Sequence, residues 1–232
     1  MVKRLLSIVF LVLALSGAAF ARESRLEKAT NVLDEIMAAP DKGIPHDLLE
    51  SAICVGIVPS ELKGAFMFGG TYGRGVLVCR QHGNGAWGAP SMFRLGGASF
   101  GFQIGGEATD VVFIVKDARG ARKLLQDNVK LGGDLSATAG PVGRTAEGAT
   151  DVQLHAEILS YSRTRGLFAG MSLDGAVLRQ AKGDNQKLYG RRVTAKGILI
   201  DGEVPVPPAA KPLDQALAKY SPKGGRAVAS LQ

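Results

Sequence analysis

A chain of 232 residues, 46% hydrophobic and 21% charged, is long enough to enclose a core and too apolar to remain a disordered polymer. Its 31 glycines follow no Gly-X-Y period, which excludes a collagen helix and points to tight turns and curved strands. The net charge of +7 at pH 7 turns attention to anionic partners.

Residues 1–21 read as a secretory signal peptide. Lys3 and Arg4 form a short basic region, Leu5 to Leu15 is apolar, and Ala19-Phe20-Ala21 is a small-x-small cleavage site. The mature chain is expected to begin at Arg22 in the periplasm or outside the cell, with 26 basic against 21 acidic residues. No later apolar run approaches the ~20 residues of a membrane helix.

Residues 23–38 carry Leu26, Ala29, Leu33, Ile36 and Met37 at helical spacing, flanked by Arg22, Arg25 and Lys28. Pro45 suits the first turn of a second short helix to about Ala52. The period then changes to that of strands. Ile53–Val58 is an apolar run, and Ala65–Thr71 with Gly75–Arg80 predict a hairpin around Tyr72-Gly73-Arg74-Gly75. Cys54 and Cys79 fall in these apolar segments. A disulfide and two separately buried thiols both fit the pattern.

Further along, Ala98, Phe100, Phe102 and Ile104 alternate with small and polar residues. Val111–Val115 is apolar throughout, as a strand covered on both faces would be. Asp117 caps a predicted helix to about Gln126. Val129 to Ala139 and Val152 to Ile158 each share one strand parity, and Gly166–Leu173 is another strand. Helical turns are expected near Asp184–Tyr189 and Thr194–Ile200. Residues 204–232 are Pro-rich and read as a flexible tail, interrupted by one short helix at Leu213–Tyr220. Strands joined by hairpins, with glycines inside them, predict an α+β fold. Its sheet is a strongly bent antiparallel one or an incomplete β-barrel, with N-terminal helices packed against it. Phe100, Phe102, Val112, Ile114, Leu154 and Ile158 are the expected interior residues.

Three motifs hint at chemistry without supporting it. Gly97-Ala98-Ser99-Phe100-Gly101 has the spacing of a nucleophile elbow, but strand alternation runs straight through it. Gly83-Asn84-Gly85-Ala86-Trp87-Gly88 lacks the following helix that a dinucleotide site needs. His155-Ala156-Glu157 lacks the cysteine half of a zinc deaminase signature and reads as a polar surface pair. His46, His82 and His155 have no metal-ligand spacing, so no metal, cofactor or catalytic residue is expected. The clearest asymmetry is electrostatic. Arg163, Arg165, Arg179, Lys182, Lys187, Arg191, Arg192 and Lys196 are opposed within their stretch only by Asp174 and Asp184. Arg163 and Arg165 share the parity of His155 and Glu157 and are expected to face outward, with Arg191 and Arg192 adding to the same potential.

Several blocks in order resemble the SYLF, or Ysc84 actin-binding-like, family. They are Ala52-Ile53-Cys54-Val55-Gly56-Ile57-Val58-Pro59, Gly69 to Leu77, Gly88-Ala89-Pro90-Ser91, Gly96 to Gly105, Ala139 to Arg144 and Tyr161 to Gly170. The resemblance runs from about Leu26 to Glu203 and implies lipid binding without catalytic residues. Its eukaryotic members bind phosphoinositides and work at membranes with actin, often beside an SH3 domain. For a chain with an export signal and no SH3 domain, the expected partner is anionic phospholipid of a bacterial envelope, not actin and not nucleic acid. The membrane-binding role of an N-terminal amphipathic helix maps onto Arg22, Arg25 and Lys28. The expected lipid contacts are therefore Arg163, Arg165, Arg191, Arg192, Arg22, Arg25 and Lys28. A protein–protein scaffold of the envelope is the second reading.

Overall fold

The computed structural model describes residues 24–38, 43–59, 70–83, 85–98, 109–143, 150–164 and 166–222. Helix α1 (Arg25–Met37) starts at a capping box, in which Ser24 and Glu27 each accept from the other's backbone N–H. A short α2 (His46–Glu50) follows Pro45. The strands are β1 (Cys54–Val58), β2 (Gly70–Cys79), β3 (Ser91–Ala98), β4 (Asp110–Val115), β5 (Asn128–Lys130), β6 (Ala137–Ala139), β7 (Ile158–Thr164), β8 (Leu167–Gly170) and β9 (Val177–Gln180). The later helices are α3 (Ala118–Leu124), α4 (Asp151–His155), α5 (Lys182–Tyr189), α6 (Ala195–Leu199) and α7 (Lys211–Tyr220).

The sheet runs β5-β9-β3-β2-β1-β4-β7-β6, with β8 also on β7. Every pairing is antiparallel except β6 with β7. Covalent continuity forces this sheet to curl. Its two end strands, β5 and β6, are consecutive in the chain. A flat eight-strand path would hold them about 34 Å apart. The seven Cα steps from Lys130 to Ala137 reach at most about 25 Å. The link also folds back on itself, with Gly132 at φ +84° and Leu131 bridged to Leu135. The result is the α+β half-barrel expected from the strand glycines.

Two cores follow from this curl. One fills the concave side with residues from both ends of the path, among them Leu77, Phe93, Phe113, Val129, Ala137, Ile158 and Leu178, closed off by α3 and α6. The other lies on the convex side, where Val55, Val76, Val112, Ile114 and Tyr161 meet α1, α2 and α7. Central strands are thus covered twice, which is why Cys54–Val58 and Asp110–Val115 are buried at every position. Val112, Ile114 and Ile158 are interior as expected. Phe100, Phe102 and the side chain of Leu154 lie outside the described residues.

The structure corrects three local readings. Tyr72–Gly75 makes no turn, because β2 runs unbroken from Gly70 to Cys79. Its glycines serve close approach: a Cβ on Gly75 would sit 2.5 Å from Phe93 Cζ, and one on Gly73 would sit 2.4 Å from Val58 Cγ1. The stretch 129–139 is two short strands separated by the Gly132 turn. The stretch 152–158 is not one strand. A capping box between Thr150 and Gln153 starts α4, and pairing begins only at Ile158.

The proline-rich segment is also folded as far as it is described. Ala210, Leu213, Ala216 and Leu217 are buried against the convex core, and Val204 against the concave one. A buried arginine fastens the end of α7. Arg80 Nε donates to Ala52 O at 3.1 Å, Nη1 to Gly85 O at 3.1 Å and Nη2 to Ser221 O at 2.9 Å and to Ser221 Oγ. Its guanidinium lies 4.2 Å from the Trp87 ring, and Trp87 Nε1 also donates to Ser221 O at 3.2 Å. Burial lowers the Arg80 pKa, with Glu50 working the other way. Composition predicts a solvated tail here. The donors Arg80 and Trp87, more than a hundred residues away from the tail in sequence, hold it instead.

Candidate anion-binding face

Strand register builds a feature that no local window contains. Arg74 on β2 is the Cα partner of Arg94 on β3, and Arg94 is the partner of Arg179 on β9. Partners in an antiparallel pair point to one face with Cβ atoms about 5 Å apart, so three guanidinium side chains stand side by side across three strands. The row ends at Asn128 of β5, the partner of Arg179. Val76 and Met92, which share this face, belong to the convex core. The row therefore lies on the convex side, past the region roofed by α1 and α7, and all three arginines are exposed. Lys130, also exposed, stands one row further along β5, opposite Val177.

Like charges placed directly opposite each other in a sheet destabilise it by a few tenths of a kcal/mol per pair. The nearby carboxylates do not offset the repulsion, being engaged elsewhere. Asp184 takes Arg25 Nη1 at 3.1 Å, and Asp127 takes Lys182 Nζ at 2.8 Å. Among the described residues, neither Arg94 nor Arg179 makes an ion pair or hydrogen bond. Arg94 and Arg179 are suited to an external anion, to which each fork can offer two parallel N–H donors.

The arginines expected to contact lipid are placed differently. Arg163 does not face solvent freely. Its Nε and Nη2 reach Asp110 Oδ2 at 2.9 and 2.7 Å, and Nη1 pairs with Glu35 of α1. Its parity on β7 is as read, but α1 covers that face, and burial lowers its pKa. Arg25 ties α1 to α5 through Asp184 and also donates to Met92 Sδ at 3.5 Å. Lys28 is half-buried. Arg191 and Arg192 are exposed after α5, where Arg191 Nη2 donates to Glu203 O at 2.7 Å. Arg22 and Arg165 lie outside the described residues. Of the residues expected to bind lipid, Arg191 and Arg192 stay exposed, while Arg163 and Arg25 hold the fold together. The missed residues Arg74 and Arg94 carried one weak signal: each is a lone charge at an even position within an apolar alternation.

One more expectation changes. Glu157 is no surface partner of His155. It is buried, accepting from Ser136 N at 2.9 Å and Arg119 Nε at 2.6 Å, with Lys123 Nζ at 3.8 Å. Burial opposes its charge, but the Ser136 N–H, Arg119 and Lys123 together hold its carboxyl below the usual range. His155 is exposed at the end of α4, its Nδ1 2.7 Å from Asp151 O. Cys54 and Cys79, direct partners across β1 and β2, are joined as a disulfide in the concave core. Between β2 and α7, Val78, Gly88, Pro90, Val206, Ala210, Leu213 and Asp214 line a half-open depression of about 160 Å³. Most of that space is open solvent, and its enclosed part holds no water-sized guest, so it is no ligand cleft of the usual ~300–1,000 Å³. Among the described residues, no helix is long and apolar enough to cross a membrane.

Comparison with known proteins gives this chain a lineage. The Ysc84 family, described as Las17-binding protein actin regulator, matches residues 96–220. Protein YSC84 of Saccharomyces cerevisiae is 38% identical over 200 residues, covering 82% of this chain and 42% of its own. LAS seventeen-binding protein 3 of the same yeast is 36% identical over 216 residues, covering 88% of this chain and 46% of its own. The human SH3 domain-containing YSC84-like protein 1 is 34% identical over 207 residues, covering 87% and 60%. The chain spans about half the length of these curated relatives. Since the similarity runs through most of the half-barrel and its helices, the chain belongs to the Ysc84 family.

Proposed function

We propose that this chain is a noncatalytic exported protein that associates peripherally with anionic phospholipid of the cell envelope. The exposed, directly paired Arg94 and Arg179 on the convex face carry the reading. Export rests on the signal-like residues 1–21, and the Cys54–Cys79 bond suits an oxidising compartment. The concave side is filled by side chains, which favours a surface site over an internal lipid cavity.

Each basic residue held at an anionic membrane contributes about 1 kcal/mol, screened over a Debye length of ~8–10 Å. Arg94→Glu with Arg179→Glu removes two attractions and adds two repulsions. Sedimentation with anionic vesicles at low salt should fall well over tenfold, and the loss should shrink at high salt. The melting temperature should hold, because one exposed like-charge pair replaces another. Unchanged binding at low salt refutes the proposal. One yeast relative is named LAS seventeen-binding protein 3 and the family is described as Las17-binding, which makes protein recognition the second reading. Failure to bind any anionic vesicle would turn the assignment to that reading.

A further inference from the structure

We infer that the outward edge of residues 205–211 is a docking ridge for a proline-reading protein domain whose groove is lined by aromatic rings and ends in carboxylates. The inference does not rest on the membrane reading above.

Every residue from Val204 to Pro207 is a proline or precedes one. Proline fixes its own φ near −65° and pushes the residue before it out of the helical region, so the stretch is restricted to extended, polyproline II backbone before any packing. Pro207 takes φ −71° and ψ 152°, values of that conformation. A 3₁₀ turn, Pro208–Ala210, follows, closed by the Lys211 N–H donating to Pro208 O. Both conformations repeat every three residues. One line along the segment therefore carries Val204, Pro207 and Ala210, and the next carries Pro205, Pro208 and Lys211. The first line faces inward: Val204 is buried in the concave core, Ala210 in the convex core, and Pro207 is half-buried. The second faces outward, and all three of its residues are exposed. The Lys211 ammonium makes no hydrogen bond or ion pair among the described residues.

At ~3.1 Å per residue in polyproline II, Pro205 and Pro208 stand about 9 Å apart, and the tighter 3₁₀ rise puts Lys211 about 6 Å further on. Two proline rings one turn apart suit successive aromatic-walled pockets. Polyproline II has no internal hydrogen bonds, and Pro205 O accepts none from the backbone among the described residues, so this carbonyl is left for a donor in the groove. The cation at the end of the ridge favours a groove bounded by carboxylates, and SH3 domains combine such an acidic end with the aromatic pockets. Val204 before the ridge and Leu213 and Leu217 after it are buried, so the fold already holds the segment and docking orders little more of the chain.

The test titrates the full chain into a panel of purified SH3 domains that read Pro-x-x-Pro followed by a basic residue, with binding read from the amide chemical shifts of each domain. The wild type should move the groove signals of at least one domain with a Kd of about 10–100 μM. Pro205→Ala with Pro208→Ala should weaken that binding at least about tenfold. Lys211→Glu should weaken it about threefold to tenfold, with most of the difference gone at high salt. The proline pair can also loosen the segment, so Lys211→Glu, an exposed change at a helix start, is the variant that separates docking from folding, and its melting temperature should stay within about 3 °C of wild type. No wild-type binding across the panel at about 500 μM overturns the inference. So does binding that neither variant weakens, because the contact then lies elsewhere on the chain. Vesicle binding by the arginine pair is measured separately, and either reading can fail without the other.

Discussion

Replacing Ser221 with alanine tests whether the chain end is a structural part of the half-barrel. The Ser221 hydroxyl is fully buried, donates to Leu49 O at 2.8 Å and accepts from Arg80 Nη2. A hydrogen bond to a charged donor is worth about 1.5–3 kcal/mol and a neutral one about 1. Arg80 Nη2 keeps Ser221 O, and Leu49 O keeps the Ala52 N–H at 3.3 Å, so the loss stays below the simple sum, at about 2–4 kcal/mol. For a chain of this size that lowers the melting temperature by about 5–15 °C. Trp87, the only tryptophan, is buried against Arg80 and reports the same event by fluorescence. Its emission should shift to longer wavelength below the main transition as the latch loosens. Lys219→Ala, an exposed change two residues away, should shift the melt by only about 1–2 °C. A Ser221→Ala protein with wild-type melting and wild-type emission would refute the latch.

Arg163→Met leaves the buried Asp110 without this partner and should cost about 3 kcal/mol by denaturant titration, with anionic-vesicle binding reduced less than twofold. Glu157→Gln should cost about 1–3 kcal/mol at pH 7. Because the native carboxyl is held below its ordinary value, that contribution is complete above the unfolded pKa near 4.3 and fades as pH falls through the native one. Melts at pH 7 and pH 3 should therefore converge between variant and wild type, and a constant gap would contradict the assignment. Tyr161 is fully buried with no hydrogen-bond partner for its hydroxyl among the described residues, so Tyr161→Phe should be neutral or stabilising, and a loss above about 1 kcal/mol would count against that environment. Joining residues 25 apart, the disulfide removes unfolded-chain entropy worth about 3 kcal/mol, so Cys54→Ala with Cys79→Ala should lose about that much in a denaturant melt.

Much of the architecture was legible in the chain itself. Apolar runs such as Val111–Val115 announce strands covered on both faces, and Asp117 marks a helix start because its side-chain oxygen accepts from the first-turn N–H of Gly120. Glycine was the misleading signal. In Tyr72-Gly73-Arg74-Gly75 the missing side chains make room for Phe93 and Val58, a packing reason that no local window shows. The same limit hid the site. Alternation says which residues share a face of one strand, but says nothing of which residue lies opposite on the next. Arg74, Arg94 and Arg179 become one row only through the β2–β3 and β3–β9 registers, which the antiparallel ladders set. Arg163 was read on the correct parity, yet tertiary packing laid α1 over that face and gave it Glu35 and Asp110. Side-chain alternation is a property of each segment. Register and cover come from contacts between segments far apart in the chain, and those decided which arginines hold the fold together and which stand open to an anion.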